Sequence, residues 1–485
     1  MDLSRIIAAD IDGRVHNTRY RQAQFHRLQA VLVEHVAEIQ DAICADSGHS
    51  AQEVRAEIVL ALQELRTHFL SLSLEKDLEN EYRIANGKDS LDGSRGTGIV
   101  YLVPCTHTLF FSVISALTAA LAAGNCIVLE LPQTTMALPA LLRQILPNAL
   151  DHDTFAITAH RPDSSFMNKT LLVAQTGSDA SSGLISPAAR TVAIVDRTAN
   201  IVEAAQALVA ARFALGGRSA YAPDVVLVNE FAMKPFVEAV IQQASRYLAG
   251  ENGEARQSSS SRRSGLLDSI QKERTARVLV SGSQWGVVEV QDRNSPLLQK
   301  KIDEKVLLVH AVTSLDDAID ISSYASLRKY LQLANEIRNE TLAATYAFAA
   351  PASAKYLTQF IDADISWVNH VPSHMLLGPA LPRNIPYNPN TRYAISSFQR
   401  PRPQLITPPA SAYTARTILE NTNSTNSDNL WRAVLTPLPS TKQRPGFKIG
   451  FFEQGIITGG VLTLATLFAT VSTIGYYTWI YARRV

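Results

Sequence analysis

Between residues 17 and 45 the apolar positions Phe25, Leu28, Leu32, Val36, Ile39 and Ile43 recur at steps of three or four. That spacing gathers them on one stripe of a helix. Asp46-Ser-Gly-His-Ser breaks the run, and Val54, Ile58, Leu62, Leu65 and Phe69 predict a second helix from about Gln52. Beyond Gly98 the texture changes. Short apolar runs (GIVYLV, CIVLEL, FAIT, TLLVA, TVAIV, DVVLV, RVLVS, VLLVHAV, ATYAF and ISWVN) alternate with helical stretches such as 108–123 and 134–146, as far as about residue 369. Runs buried on both faces read as parallel strands, and the alternation implies consecutive β-α units. The predicted fold class is α/β, with a parallel-sheet domain over 1–185 and a second α/β domain over 186–385.

The remaining segments break this alternation. GENGEARQSSSSRRSG, between Gly250 and Gly265, carries a serine run and almost no apolar side chain, so it predicts a surface insertion. Residues 416–450 are rich in Asn, Thr, Ser and Pro and predict a linker. From Gly455 to Ala482 no residue is charged, a stretch of 28 residues. As a helix it is roughly 42 Å long at 1.5 Å per residue, more than the roughly 30 Å of a hydrocarbon core. Tyr476, Tyr477, Trp479 and Tyr481 stand where an aromatic belt would lie, before Arg483 and Arg484. A single-pass transmembrane anchor is predicted over 451–482.

Composition narrows the function classes. Apolar residues are 46% and charged residues 18% of the chain, a globular balance that excludes wholesale disorder and a polytopic transporter. Forty-five basic against 44 acidic residues leave a formal charge of +1, which gives no general attraction for nucleic acid. Three cysteines, Cys44, Cys105 and Cys126, form no C-x-x-C pair, against a disulfide framework or structural zinc and in favour of a reducing compartment. Cys44 and Cys126 read as packed helix or strand residues. His370 and His374 have helical spacing, but Pro372 lies between them, so no metal site is expected. Asp2, Arg5, Asp10 and Asp12 interrupt the amino-terminal segment, leaving no apolar run of signal-peptide length. The globular part is expected in the cytosol.

Several local signals converge on one family. IVYLVPCTHTLFFSVISALTAALAAGNCIVLE at 99–130 resembles the stretch of aldehyde dehydrogenases in which a strand, an active-site loop, a helix and an Ala-Ala-Gly-Asn turn lead into the second nucleotide-binding strand. LPNALDHDTFAIT at 146–158, QTGS at 175–178, GGRSAYAPDVVLV at 216–228, SLDDAIDI at 314–321 and SWVN at 366–369 look like later landmarks. The resemblance covers about residues 17–410 and is strongest to the membrane-anchored fatty aldehyde dehydrogenases. It implies a Rossmann-like dinucleotide-binding domain, a catalytic-like α/β domain, an oligomerisation segment over 386–415, and NAD(P) as cofactor. It further implies a homodimer in which Tyr393 to Phe398 pairs with the other subunit's sheet.

The resemblance also assigns chemistry: a thiolate attacks the aldehyde, an oxyanion forms, hydride passes to NAD(P), and a carboxylate-activated water releases the acid. Carried over residue by residue, those groups are missing. The thiol position of the family's Gly-Gln-x-Cys-x-Ala-Pro motif falls on Ala220 in Gly217-Arg218-Ser219-Ala220-Tyr221-Ala222-Pro223. The general-base position falls on Ser186, and the oxyanion asparagine position on Thr106. The ribose-binding lysine becomes Glu130, and the segment near the nicotinamide ribose becomes Lys301-Ile302-Asp303-Glu304-Lys305. Between Gly177 and Ser186 only eight residues remain where the family places most of a pyrophosphate-facing helix. The dinucleotide contacts left are Thr176, Gly177 and Ser178.

The leading reading is therefore a membrane-anchored aldehyde dehydrogenase family protein without normal turnover, a pseudoenzyme. The alternative is an NAD(P)-dependent oxidoreductase acting on a fatty or biosynthetic aldehyde by a modified mechanism, with Cys105 as fallback nucleophile. Ser219 adjoins the lost thiol position but has no activating base in a recognisable motif. Arg190 and Arg218 bring positive charge near the funnel, where a carboxylate or phosphate ligand could replace the aldehyde. Tyr221 and Arg218 are the side chains expected to fill the funnel if no ligand site survives.

Overall fold

The computed structural model describes residues 3–177, 182–254, 265–270, 276–282, 284–322, 341–383, 385–420, 425–443 and 451–483. They fall into two compact units, Met1–Ile406 and Thr407–Val485. In the first unit the two predicted amphipathic helices are three: Thr18–Glu34, Val36–Ser47 and Ala51–Leu70. Asn17 caps the first through the amides of Arg19 and Tyr20. Ser50 and Glu53 form a reciprocal capping box at the start of the third, directly after the predicted break.

The strands are β1 (Ser94–Gly96), β2 (Ile99–Val103), β3 (Cys126–Glu130), β4 (Phe155–Thr158), β5 (Thr170–Ala174), β6 (Leu184–Ile185) and β7 (Thr191–Val195). They continue with β8 (Val225–Asn229), β9 (Ala276–Ser281), β10 (Trp285–Val290), β11 (Lys305–Val312), β12 (Ala344–Phe348), β13 (Ser366–Val368) and β14 (Gln399–Pro401). A five-stranded sheet runs β4-β3-β2-β5-β6, all parallel. A seven-stranded sheet runs β13-β12-β7-β8-β11-β10-β9, parallel except where β9 meets β10. All ten predicted runs are strands. Sequence reading missed β10, where Gly286 and Glu289 interrupt the apolar run.

Between β2 and β3 the helix Leu109–Ala122 is buried along its whole length. A helix apolar on nearly every side needs a protein core or a bilayer around it, and at 14 residues this one is too short to span a membrane. It packs against Ala51–Leu70, and the two share carboxylate contacts. Glu57 accepts the amides of Phe110 and Phe111 at 3.0 and 3.3 Å, and Glu64 accepts the Ser115 hydroxyl. Burial pushes both carboxyls up to about 7.

The carboxy-terminal part of this unit differs from expectation. Tyr393 and Phe398 are fully buried in the chain's own core, and Ile395–Phe398 is a short 3-10 helix, not a strand offered to a partner. The strand that follows, β14, pairs antiparallel with β1 of the same chain. Two aromatic side chains with that much apolar surface are held by burial more strongly than an exposed edge could hold them.

In the second unit the expected linker contains two short helices, Ala410–Glu420 and Thr425–Val434. The predicted anchor is one helix, Phe451–Ala482, in which Glu453–Ala482 spans 30 residues at mean hydropathy 1.7 with none of its most apolar window buried. That is long and apolar enough to cross a membrane. Arg483 stacks on Trp479 with Cζ 4.2 Å from the ring centroid. Of the serine-rich segment, residues 255–264 lie outside the described residues.

Candidate functional site

The helix Ile201–Phe213 ends in a 3-10 turn, Ala214–Gly217, that delivers the chain to Ala220. Gly217 has φ +71, and a Cβ there would lie 2.6 Å from the carbonyl carbon of Glu304, so the close approach of the two loops requires glycine. Arg212, completely buried, crosses beneath this turn and donates to the carbonyls of Gly217, Ile302 and Glu304. Its charge is balanced by Asp224, 1% exposed and 3.5 Å away. Asp224 also accepts from the Thr191 and Ile302 amides at 2.7 and 2.9 Å and from Lys301 Nζ at 3.0 Å. Lys301 Nζ and the Thr191 hydroxyl both donate to the Ala220 carbonyl, at 2.7 and 2.9 Å. The loop around Ala220, the expected thiol position, is therefore braced by Thr191 and by Lys301, from the segment expected near the nicotinamide ribose.

Ser186 is 2% exposed, and its hydroxyl makes no hydrogen bond. Facing it is the Tyr393 hydroxyl, also buried and without a well-directed partner, with Gln175 alongside. Gln175 is already committed, accepting the Cys105 amide at 3.1 Å and donating to the Ser112 carbonyl at 2.7 Å. Cys105 is 6% exposed, its sulfur 3.1 Å from Ser112 Oγ and 3.2 Å from the His107 carbonyl. Burial pushes its thiol up to about 11, far from the thiolate a nucleophile needs. Ser219 is fully buried, with its hydroxyl accepting the Tyr221 amide at 3.2 Å.

Thr106 is exposed, while its neighbour His107 reaches the Leu376 carbonyl through Nε2 at 2.9 Å, and burial lowers that imidazole to about 4. Arg218 is exposed and borders a small cavity of about 60 Å³ beside Thr106, so it does not fill the funnel. Arg190 is buried and donates to the Leu298 carbonyl at 2.6 Å, a structural contact. The side chains that do fill the interior are Tyr221, 1% exposed, and Arg392, whose Cζ stands 5.4 Å from the Tyr221 ring centroid. Sequence reading missed Arg392, which sits in no periodic element. The Tyr221 hydroxyl accepts the Leu381 amide at 2.8 Å, and its carbonyl accepts the Tyr346 hydroxyl at 2.9 Å. Cys126 is fully buried, as expected, but Cys44 is exposed because it lies one position beyond the packed face of its helix. His370 contacts the Val368 carbonyl and His374 the Tyr387 hydroxyl.

The parallel five-stranded sheet brings the carboxyl ends of β2, β3, β4 and β5 to one edge, the edge at which such sheets bind dinucleotides. The residues there fit NAD(P) in part. Glu130, at the end of β3, accepts the Tyr101 hydroxyl at 2.6 Å. Thr176 and Gly177 are exposed after β5, and a Cβ on Gly177 would lie 3.1 Å from that of Ala188. Close packing on Ala188 is thus reason enough for this glycine. Ser178 lies outside the described residues, and among the described residues no helix stands between β5 and β7 to present its amino end to a pyrophosphate.

Comparison with known proteins finds similarity to the same family. The aldehyde dehydrogenase family model matches residues 14–163. Aldehyde dehydrogenase family 3 member B1 of Rattus norvegicus is 26% identical over 349 residues, which cover 64% of this chain and 72% of that one. A substrate-bound AldH of Staphylococcus aureus superposes with a TM-score of 0.65 at 17% identity, over 89% of this chain and 98% of that one. Glyceraldehyde-3-phosphate dehydrogenase of Methanocaldococcus jannaschii, complexed with NADP, superposes with a TM-score of 0.62 at 13% identity, over 84% and 93%. With the landmarks from 99 to 369 and the two sheets in place, the chain has the aldehyde dehydrogenase fold and is similar to that family, whose model matches its residues 14–163.

Proposed function

We propose that this chain is a membrane-held aldehyde dehydrogenase scaffold that does not oxidise aldehydes by the family's thiol chemistry and acts instead as a binding or assembly subunit. The observation that carries the reading is Ala220. A methyl group occupies the nucleophile position, and its loop is braced by Thr191 and Lys301. Two further features support it: Ser186 supplies no carboxylate, and the Cys105 thiol is buried and held at about 11. The domain division at 185/186 belongs to the same proposal, supported by β6 and β7 lying in different sheets. NAD(P) remains the cofactor class of the scaffold, as in the NADP complex of the methanogen relative. Thr176, Gly177 and Ser178 would hold it without a helix-end contact to its pyrophosphate, and bound there it would offer hydride acceptance. The homodimer and the cytosolic face of the globular unit belong to the same proposal. Lys442, Arg444 and Lys448 precede the membrane helix, the arrangement expected on the cytoplasmic side.

The test is reduced-dinucleotide formation by the full chain in lipid nanodiscs, supplied with NAD or NADP and aldehydes of increasing chain length. The expected result is no aldehyde-dependent reduction above protein-free nanodiscs. Reduction that Cys105→Ala abolishes would overturn the proposal in favour of a relocated nucleophile.

A further inference from the structure

β4 is an edge strand of the five-stranded sheet and pairs with β3 alone among the described residues. The Thr154 and Thr158 carbonyls accept the amides of Ile127 and Leu131, at 2.8 Å each. Backbone groups alternate in direction along a strand, so Ile157 turns its amide and carbonyl to the open side. An edge left open in this way is a template for another strand. A cavity of about 360 Å³ runs beside it, from His152 before the strand to Ala159 after it.

Two arginines line this cavity, one from each face of the sheet. Arg5 comes from the helix Ser4–Asp12, whose Ile6 packs with Cys126 and Val128. Arg143 comes from the helix Ala137–Ala149, whose Leu142 packs with Ile127 and Leu129 on the opposite face. Arg5 is exposed. Arg143 donates from Nη2 to the Pro132 carbonyl, while its Nε is buried without a partner. Among the described residues neither arginine forms an ion pair, and no acidic side chain lines the cavity. Asp151 and Asp153, beside His152, pair with Arg14 at 3.8 and 3.2 Å.

A strand added to β4 would send successive side chains to opposite faces, toward one arginine and then the other. The guanidinium fork favours carboxylates. We propose that the β4 edge takes up an extended segment of a partner protein carrying two consecutive acidic residues, one for Arg5 and one for Arg143. Backbone hydrogen bonds to Ile157 supply the pairing, and the two carboxylates supply the selectivity. Thr176 and Gly177, proposed for the dinucleotide, follow β5, which β3 and β2 separate from β4. The inference uses neither them nor the thiol and base positions, so it stands whether or not turnover survives.

Fluorescence anisotropy on the full chain in phosphatidylcholine nanodiscs tests it with the labelled peptide Thr-Val-Thr-Glu-Glu-Thr-Val-Thr. The peptide is expected to bind one per chain and to slow hydrogen exchange at the Ile157 amide. A peptide with Gln-Gln in place of Glu-Glu, and one N-methylated at both glutamates, are each expected to bind at least tenfold weaker. Arg143→Gln and Arg5→Gln each weaken the acidic peptide at least fivefold, whereas Arg277→Gln, on the edge strand β9 of the other sheet, leaves it unchanged. Arg5 lies on the surface, so its variant decides the matter if Arg143→Gln fails to fold. Added NADP leaves peptide binding unchanged. Binding weaker than about 1 mM, equal binding of the N-methylated peptide, or binding unchanged in Arg5→Gln overturns the inference. Displacement of the peptide by NADP would overturn it as well, by giving the cavity to the cofactor.

Discussion

Lys301 Nζ donates to the Ala220 carbonyl at 2.7 Å while also pairing with Asp224 at 3.0 Å, tying the thiol-position loop to the segment that precedes β11. Removing one member of such a pair leaves the others buried and uncompensated. Lys301→Met should cost about 1–3 kcal/mol of unfolding free energy, because Arg212 still neutralises Asp224. Asp224→Ala should cost about 3–5 kcal/mol, because it strands both cations. Urea unfolding of the two single variants and the double variant checks this. Additive losses would mean that Lys301 and Asp224 do not act as one network.

Restoring sulfur at the thiol position should not restore turnover. In Ala220→Cys the new thiol has no carboxylate partner at Ser186, so aldehyde-dependent reduction of NAD should stay at the level of the parent chain. Turnover from this single change would show that the base function resides elsewhere.

The Tyr393 hydroxyl faces Ser186 without a well-directed hydrogen bond. Deleting an unsatisfied buried hydroxyl relieves a desolvation penalty, so Tyr393→Phe should leave stability unchanged or raise it by about 1 kcal/mol. A loss above about 1.5 kcal/mol in thermal unfolding would mean that the hydroxyl is bonded, through water or directly.

Glu57 and Glu64 titrate near 7 in the folded chain against an ordinary value of 4.5. Between those limits the folded state binds more protons than the unfolded one. Their contribution is therefore complete below about 4.5 and is lost as pH rises through 7. His16 and His68, lowered by burial from 6.5 to about 4, act with the opposite sign and cost stability as pH falls through that interval. The wild-type profile alone mixes the two. The difference in unfolding free energy between wild type and Glu57→Gln should fall by up to about 1.4 kcal/mol per pH unit between about pH 5 and 7. A flat difference rejects the raised carboxyl.

Placing a charge in the middle of the apolar helix should detach the chain from membranes. Leu467→Arg adds about 2.5–3.5 kcal/mol to insertion. It should move a measurable fraction of the protein from the pellet to the supernatant on alkaline carbonate extraction. An unchanged pellet would argue that the helix is held by something other than a bilayer.

The fold was legible because its signals are local. Every short apolar run became a strand, and the Ala-Ala-Gly-Asn turn leads from Leu109–Ala122 into β3. The proposed thiol and base positions, Ala220 and Ser186, rest on short motifs of the same local kind. What the sequence did not disclose is what replaces the lost groups. Arg392 meets Tyr221 across 171 residues of chain, and Lys301 meets Ala220 across 81. No periodicity encodes either meeting. Arg218, a near neighbour of Ala220 in sequence, points to solvent, whereas the distant Arg392 lies inside. Proximity along the chain was a poor guide to which arginine packs against Tyr221.

The three-residue ladder between β1 and β14, extended by the Ser90–Gln404 bridge, is the last backbone pairing before the chain leaves the first unit at Ile406. A pull on the second unit would reach this ladder before it reached the larger sheets. Under tension it would act as a fuse, yielding early and sparing the interior.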